Sequence, residues 1–493
     1  MVAMDSRDAT TLVVVLAFAV DLAIRIAALI VIPRGRKPSS AMAWLLAIFL
    51  IPFVGILFFL LIGSPHLPRD RRQKQRQIDE LITAATEGVH FEADRSEWPA
   101  WLEPVTVLNR TVGAIPIVGG NEAHLISDYE ESFVAIAADI DTARSFVHVE
   151  YYIVSFDRTT AGFFAALEAA VKRGVTVRVL LDYVASVRAV GHKETLAELE
   201  RIGVKWSYML PVHPLKGVYQ RPDLRNHRKI VVVDGRVAYM GSQNLVDRTY
   251  NVEKNFKRGL KWQELVTRVT GPVVTGINVI FIGDWYFETD EVIENENLPI
   301  AEVARHESSE ALDCQVVPSG PGFEGENNLR LFLALLHSAQ ERIIITSPYF
   351  VPDEAMMYAI TSAVQRGLDV QLFVSEIGDQ GGVFHAQRSY YPALLTAGVH
   401  IWMYPPPFIL HAKHLSIDDD VAVIGSSNMD IRSFALDLEV SLLVRGRAFV
   451  DEMREVEAGY RAVGRELTLE EWEKQPKSAT FLDGLARLTS ALQ

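Results

Sequence analysis

The stretch NHRKIVVVDGRVAYMGSQN, residues 226–244, is answered by LHAKHLSIDDDVAVIGSSN, residues 410–428. In each, a histidine (His227, His411) is followed two positions on by a lysine (Lys229, Lys413). After four more residues comes an aspartate (Asp234, Asp418), and after a further six a Gly-Ser-x-Asn run (Gly241, Ser242, Asn244; Gly425, Ser426, Asn428). Such agreement in register requires two copies of one folded unit. One site built from both copies would gather two histidines and two lysines around a single anionic group.

The flanks repeat as well. FVHVEYYI (146–153) reads as a buried strand, followed by a helix that ends in AAVKRGVTVRVLLDY. IIITSPYFV (343–351) is its counterpart, with a helix that ends in SAVQRGLDVQLFVSE. Gly174 and Gly367 stand where a left-handed residue closes each helix. Alternating strands and helices imply an α/β sheet in each copy. Glu264 and Glu439 also correspond, each seven residues before a glycine (Gly271, Gly446). Glu264 follows His227 by 37 residues and Glu439 follows His411 by 28. The first copy therefore has extra residues within Val246–Leu260, among them Arg248, Lys254, Lys257 and Arg258. They form either a loop over the site or a solvated charged loop.

This residue set suits cleavage and re-formation of a phosphodiester. One histidine attacks phosphorus, and the other protonates the leaving oxygen and then deprotonates the incoming alcohol. In H-x-K on a strand both side chains share a face, because the side-chain period is two. Lys229 and Lys413 then hold the phosphoryl oxygens, and Asn244 and Asn428, with Ser242 and Ser426, contact substrate. Glu264 and Glu439 suit the carboxylate that orients each histidine. Asp234 and Asp418 belong to the catalytic motif, although an aspartate closing a strand before a turn can instead bind local backbone. His411, His414 and Asp418–Asp420 suggest a metal site. The first copy has Arg228 and Val231 in the corresponding region, so no metal or other cofactor is expected.

The N-terminus reads as membrane-bound. Residues 41–63, AMAWLLAIFLIPFVGILFFLLIG, contain no charge and are long enough to span a bilayer. Thr11–Ile32 is the weaker span, because it holds Asp21 and Arg25. These sit four apart and can pair with each other or with the second helix. Together the two predict a helical hairpin with loop Pro33–Ser40. Arg34, Arg36 and Lys37 lie in the loop; Arg69, Arg71, Arg72, Lys74 and Arg76 flank the far side. The larger charge on the far side places the catalytic part in the cytoplasm. Net charge is −14 overall, while residues 1–76 hold ten basic against four acidic residues, leaving −20 on the rest. That balance excludes a nonspecific nucleic-acid binder. A single cysteine, Cys314, excludes intrachain disulfides. The acidic segment 291–312 reads as the linker between copies. The C-terminal stretch reads as helix, with Trp472, Phe481, Leu485 and Leu488 available to dock on the second copy.

The repeated motif, together with EYYI (150–153), PYFVPDE (348–354), GSSNMDIRSF (425–434) and the N-terminal KPSSAMAWLLAIFL, resembles the phospholipase D superfamily, and within it the bacterial cardiolipin synthases. Two departures are the GSQN ending of the first motif and ALDLE (435–439), where Asp437 replaces a usual asparagine next to the acceptor-alcohol contact. The resemblance implies an α/β chain: an N-terminal transmembrane helical hairpin (1–65), a juxtamembrane linker (66–110), and two phospholipase D-like α/β sandwich repeats (111–295 and 296–493) sharing one active site. It implies transfer of a phosphatidyl group between two phosphatidylglycerols, giving cardiolipin and glycerol, with His227 as nucleophile and His411 as acid and base. It also implies phosphatidylglycerol and other anionic phospholipids as partners, no nucleic acid, and a multi-pass place in the inner (plasma) membrane. Arg388, Tyr390 and Tyr391 either line a lipid entrance or pack. The competing readings are a membrane phospholipase D releasing phosphatidic acid, a phosphatidylserine synthase-like transferase, a nuclease, and a noncatalytic scaffold.

Overall fold

The computed structural model describes residues 6–36, 38–63, 71, 73–78, 80, 93, 95–212, 221–293, 305–308, 310–323 and 325–488. Lys37, Arg69, Arg72 and most of the expected inter-copy linker lie outside them. The N-terminal unit and the large α/β body are two compact units.

In the N-terminal unit the expected order of the two spans is reversed. Among the described residues one helix, Thr10–Val31, is long and apolar enough to cross a membrane. Its two charges neutralise each other: Arg25 Nε donates to Asp21 at 2.8 Å, and Arg25 Nη1 donates to the Phe49 carbonyl at 3.1 Å. Residues 41–63 are not one helix. Pro38–Leu50 and Pro52–Ile62 are separate helices, broken at Ile51. Pro52 has no N–H to offer the carbonyl four residues back, so it ends one helix and opens the next. Ala28, Ile32, Ala41 and Ile48 form the buried contact between these helices.

The large body is built on a 16-stranded sheet. In each repeat the strands follow the same spatial order. In the first repeat it runs Lys205–Met209, Thr176–Asp182, Phe146–Tyr151, Ile230–Val233, Val237–Gly241, Val266–Thr270, Val118–Ile126. In the second it runs His400–Tyr404, Asp369–Ser375, Arg342–Thr346, His414–Ile417, Val421–Gly425, Asp437–Arg445, Leu312–Ser319. The first three strands of each set are parallel and the rest antiparallel. The repeats join through the last strand of each, with Val118 opposite Cys314 and Asn121 opposite Leu312. The joined strands make one continuous apolar interior, in which Val316, Ile424 and Leu442 of the second repeat pack with Ile230, Met240 and Val269 of the first.

The expected linker 66–110 proves partly structural. Helix Leu102–Gly113 buries Leu102 and Val105 in the core of the second repeat, beside Phe332 and Leu335. Its burial is favoured by the same apolar transfer that holds the repeats, roughly 2 kcal/mol for each large side chain fully removed from water. Gly174 and Gly367 take φ of +85° and +91° at the ends of their helices, as the sequence anticipates. The C-terminal helix does not follow expectation. Trp472 is buried, but Phe481 is 70% exposed, Leu485 53% and Leu488 79%.

Candidate active site

Each histidine follows a short strand that crosses to the other repeat. Arg225–Asn226 pairs in parallel with Asp437–Leu438, and the His227 N–H donates to the Leu438 carbonyl at 2.8 Å. Phe408–Leu410 pairs in parallel with Lys261–Gln263, and the His411 N–H donates to the Gln263 carbonyl at 2.7 Å. The next residue on each partner strand is a glutamate. The pairing is therefore crossed: His227 Nδ1 lies 3.0 and 3.1 Å from the carboxylate of Glu439, and His411 Nδ1 lies 2.8 and 2.9 Å from that of Glu264. A carboxylate at Nδ1 holds the proton there and leaves the Nε2 lone pair free for chemistry.

The glutamates are fixed in turn. Ser242 Oγ donates to Glu264 at 2.6 Å, and Ser426 Oγ donates to Glu439. Each serine hydroxyl also accepts a backbone N–H of the glutamate strand, from Leu265 and Val440, both at 3.0 Å. The two serines, expected on substrate, thus serve the glutamates instead. A hydroxyl has one proton, and here it is committed to a buried carboxylate. The preceding glycines permit this approach. A Cβ on Gly241 would lie 2.3 Å from the Leu265 carbonyl oxygen, and one on Gly425 would lie 2.3 Å from that of Val440.

Lys229 and Lys413 each give one proton to the carbonyl of their own motif histidine, at 2.5 and 2.7 Å. An ammonium has three donors, and this bond uses one of them. Burial pushes Lys229 down to about 7 and Lys413 to about 8, although the nearby glutamates oppose it. Burial also lowers both histidines, His227 well below its ordinary value, with the Lys229 and Lys413 charges adding to the effect. The two glutamates part ways. Burial pushes Glu439 up to about 7. At Glu264 burial acts in the same direction but is outweighed by His411 and Lys413, which hold its carboxyl below the usual range.

The asparagines differ. Asn244 accepts the Ile153 N–H at 3.2 Å and donates to the Tyr250 hydroxyl at 2.9 Å. Asn428 is buried with its Oδ1 unsatisfied. Asp234 and Asp418 stand apart from the chemistry. Asp234 accepts the N–H groups of Arg144, Ser145 and Phe146 at 2.8–2.9 Å. Asp418 accepts those of Gln340, Glu341 and Arg342 at 2.8–3.0 Å. Each ties the end of its motif strand to the start of the neighbouring strand, which is the backbone-binding alternative the motif left open.

Tyr152 sets its edge against His227, with ring centroids 5.0 Å apart, and Tyr349 lies 6.2 Å from His411. Both lie in segments, EYYI and PYFVPDE, that carry the family likeness without assigning either tyrosine a role. Tyr349 donates to Asp379 at 2.8 Å, and both line a cleft beside His411 with Gln380, Phe384 and Ile409. Asp437 is buried next to His227 and paired with Arg432 at 3.2 Å. Arg388 and Tyr391 do not line the cleft: Tyr391 is fully buried, and Arg388 binds Asp483 and covers the Trp472 ring. His414 is also fully buried, beside Glu457, and Arg454 joins that same pair.

Two family models match. One, described as "Cardiolipin synthase, PLD-like domain", covers residues 136–268 and 332–457. The other, described as "Phospholipase_D-nuclease N-terminal", covers residues 23–64. The chain is 31% identical over 474 residues to cardiolipin synthase A of Proteus mirabilis (strain HI4320), covering 94% of each protein. It is 32% identical over 453 residues to cardiolipin synthase A of Yersinia pseudotuberculosis serotype O:1b (strain IP 31758), covering 90% of this chain and 91% of that one. The crystal structure of phosphatidylserine synthase from Haemophilus influenzae Rd KW20 is similar in fold, with a TM-score of 0.60 at 14% identity over 79% of this chain and 99% of that one. With both motif-bearing repeats matched and nearly the whole length shared with such relatives, the chain belongs to the bacterial cardiolipin synthase family of the phospholipase D superfamily.

Proposed function

We propose that this phosphatidyltransferase joins two phosphatidylglycerol molecules into cardiolipin and releases glycerol. The crossed pairing of each histidine with the other repeat's glutamate carries this reading. It makes one site with two differently poised imidazoles and two phosphate-holding lysines.

His227, kept neutral by burial beside two lysines, attacks phosphorus through Nε2. The bond from phosphorus to the glycerol oxygen breaks, and His411 gives that oxygen its proton. Glu264, held ionised, supports the positive charge that His411 carries before this transfer. Glycerol leaves, and the terminal hydroxyl of a second phosphatidylglycerol takes its place. His411 removes its proton, the oxygen attacks phosphorus, and the bond to His227 breaks. Lys229 and Lys413 balance the charge on the nonbridging oxygens throughout. The side chain of Asn428, with its free oxygen, suits a contact to the acceptor hydroxyl.

The apolar N-terminal helices suit a membrane enzyme, and we read Thr10–Val31 and Pro38–Ile62 as a hairpin in the inner membrane. Basic residues beyond it support a cytoplasmic catalytic body. The test is product analysis. Full-length protein in phosphatidylglycerol vesicles is expected to yield cardiolipin and equimolar glycerol, and a His227→Ala variant neither. Phosphatidic acid as the main product would instead mean that water intercepts the intermediate.

A further inference from the structure

Helix Lys477–Arg487 is docked the wrong way round for a protein in water. Its carboxylate faces inward: Asp483 is 2% exposed, lies 2.6 Å from His385 Nδ1 and accepts from Arg388 Nε at 3.3 Å. Its large apolar side chains, Phe481, Leu482 and Leu485, are exposed, as is Leu488 just beyond its end, while Ala486 packs on the core. An amphipathic helix on a soluble surface has the opposite arrangement. A contiguous apolar patch of this kind marks an interaction surface.

Its position narrows what that surface meets. Helix Gly381–Arg388, to which Asp483 ties it, supplies Phe384 and Gln387 to the cleft beside His411. The extra segment of the first repeat forms helix Glu253–Arg258 and touches the wall of the same cleft. Arg258 reaches the carbonyl of Gly378, another residue of the cleft wall, at 3.4 Å. This segment joins Asn244 to Glu264, and its Phe256 is 57% exposed amid exposed Lys254, Lys257 and Arg258. Lys254, Lys257 and Arg258 thus stand beside an exposed aromatic, with Lys257 also paired to Glu253 at 2.6 Å, on a body whose sequence after residue 76 sums to −20. Apolar residues flanked by cations suit the interface of an anionic bilayer, where rings enter the acyl boundary and cations meet phosphates.

We propose that the exposed face of Lys477–Arg487 and the Glu253–Arg258 helix form a docking surface for anionic phospholipid that sets the cleft beside His411 against the bilayer. It rests on the phospholipid reading of the site and adds how the body, apart from the N-terminal helices, engages the lipid.

The sole native cysteine, Cys314, is fully buried, so an introduced cysteine is the accessible thiol. Phe481→Cys, Phe256→Cys and Lys172→Cys are each made in the full chain and spin-labelled. Lys172 lies before strand Thr176–Asp182, at the end of the sheet away from the histidines. In phosphatidylglycerol vesicles, labels at 481 and 256 are expected to collide more with oxygen than with a water-soluble nickel chelate, and the label at 172 the reverse. In phosphatidylcholine vesicles the oxygen preference at 256 should shrink. Labels at 481 and 256 that behave like the one at 172 in phosphatidylglycerol would overturn the proposal. The readout is depth rather than turnover, so a chain that docks but makes no cardiolipin counts against the reaction and not against this surface.

Discussion

Glu439 of the second repeat holds Nδ1 of His227 in the first at 3.0 Å, and Glu264 of the first holds His411 of the second at 2.8 Å. Neither repeat owns a complete histidine–carboxylate pair. The two pairs also differ in charge, with burial raising Glu439 to about 7 while His411 and Lys413 keep Glu264 ionised. The difference assigns separate duties to the two glutamates. Replacing either by glutamine should lower kcat by about 10³-fold or more, as loss of a tautomer-fixing carboxylate does elsewhere. With a phosphatidyl ester of p-nitrophenol, whose leaving group needs no proton, the first-turnover burst of nitrophenol from Glu264→Gln should recover most of its rate. Glu439→Gln should stay slow. Equal recovery by both variants would contradict the assignment.

The lysines give the enzyme an alkaline limb. Their folded values lie near 7 and 8, below the ordinary lysine value, because burial disfavours the charged form. As pH rises through that range the free enzyme loses the positive charge that receives phosphate. The profile of kcat/KM should therefore fall with an apparent pKa of about 7–8. Bound phosphate favours the ammonium, so the corresponding limb in kcat should move to higher pH. Steady-state kinetics in phosphatidylglycerol mixed micelles between pH 6 and 9.5 checks both limbs.

The motif aspartates should act on stability before chemistry. Asp234→Ala or Asp418→Ala strands three N–H groups that now meet a carboxylate. Each should cost on the order of 3 kcal/mol, seen as a lower melting temperature in detergent. The fraction that remains folded should keep a pH profile like that of the parent, since neither aspartate touches the histidines.

Gly425→Ala should be disproportionately harmful for so small a change. The added methyl would meet the Val440 carbonyl oxygen at 2.3 Å and push away the strand that carries Glu439. Activity should fall by about 10²-fold or more, in line with small displacements of catalytic groups. Gly367→Ala, where a Cβ meets nothing within 4 Å, is strained only by its positive φ and should lose stability, about 1 kcal/mol, but not activity.

Much of this architecture is legible in the sequence because duplication exposes it. His227 and His411 can be aligned by eye, and the strands and helices around them follow the same order. What escapes is anything settled between the copies. Alignment shows that Glu264 and Glu439 correspond, but not that each crosses to the other's histidine, because that depends on the parallel bridges at Arg225–Asn226 and Phe408–Leu410. Ser242 and Ser426 look like substrate ligands until their hydroxyls are seen on the glutamates. The charge-free run 41–63 looks like the better span until Pro52 divides it, while Asp21 and Arg25 cancel the apparent cost of the first helix. Leu485 and Leu488 suggest docking on the protein, but Asp483 turns that helix over.

The most direct test is to catch the intermediate. Full-length enzyme is mixed with phosphatidylglycerol labelled at phosphorus, quenched in alkali within the first turnover, digested, and mapped by mass spectrometry. The expected label is on His227, retained in Glu264→Gln and absent from His227→Ala. Label on His411 instead, or product formed at full rate with no labelled histidine, would contradict a composite site in which His227 is the nucleophile.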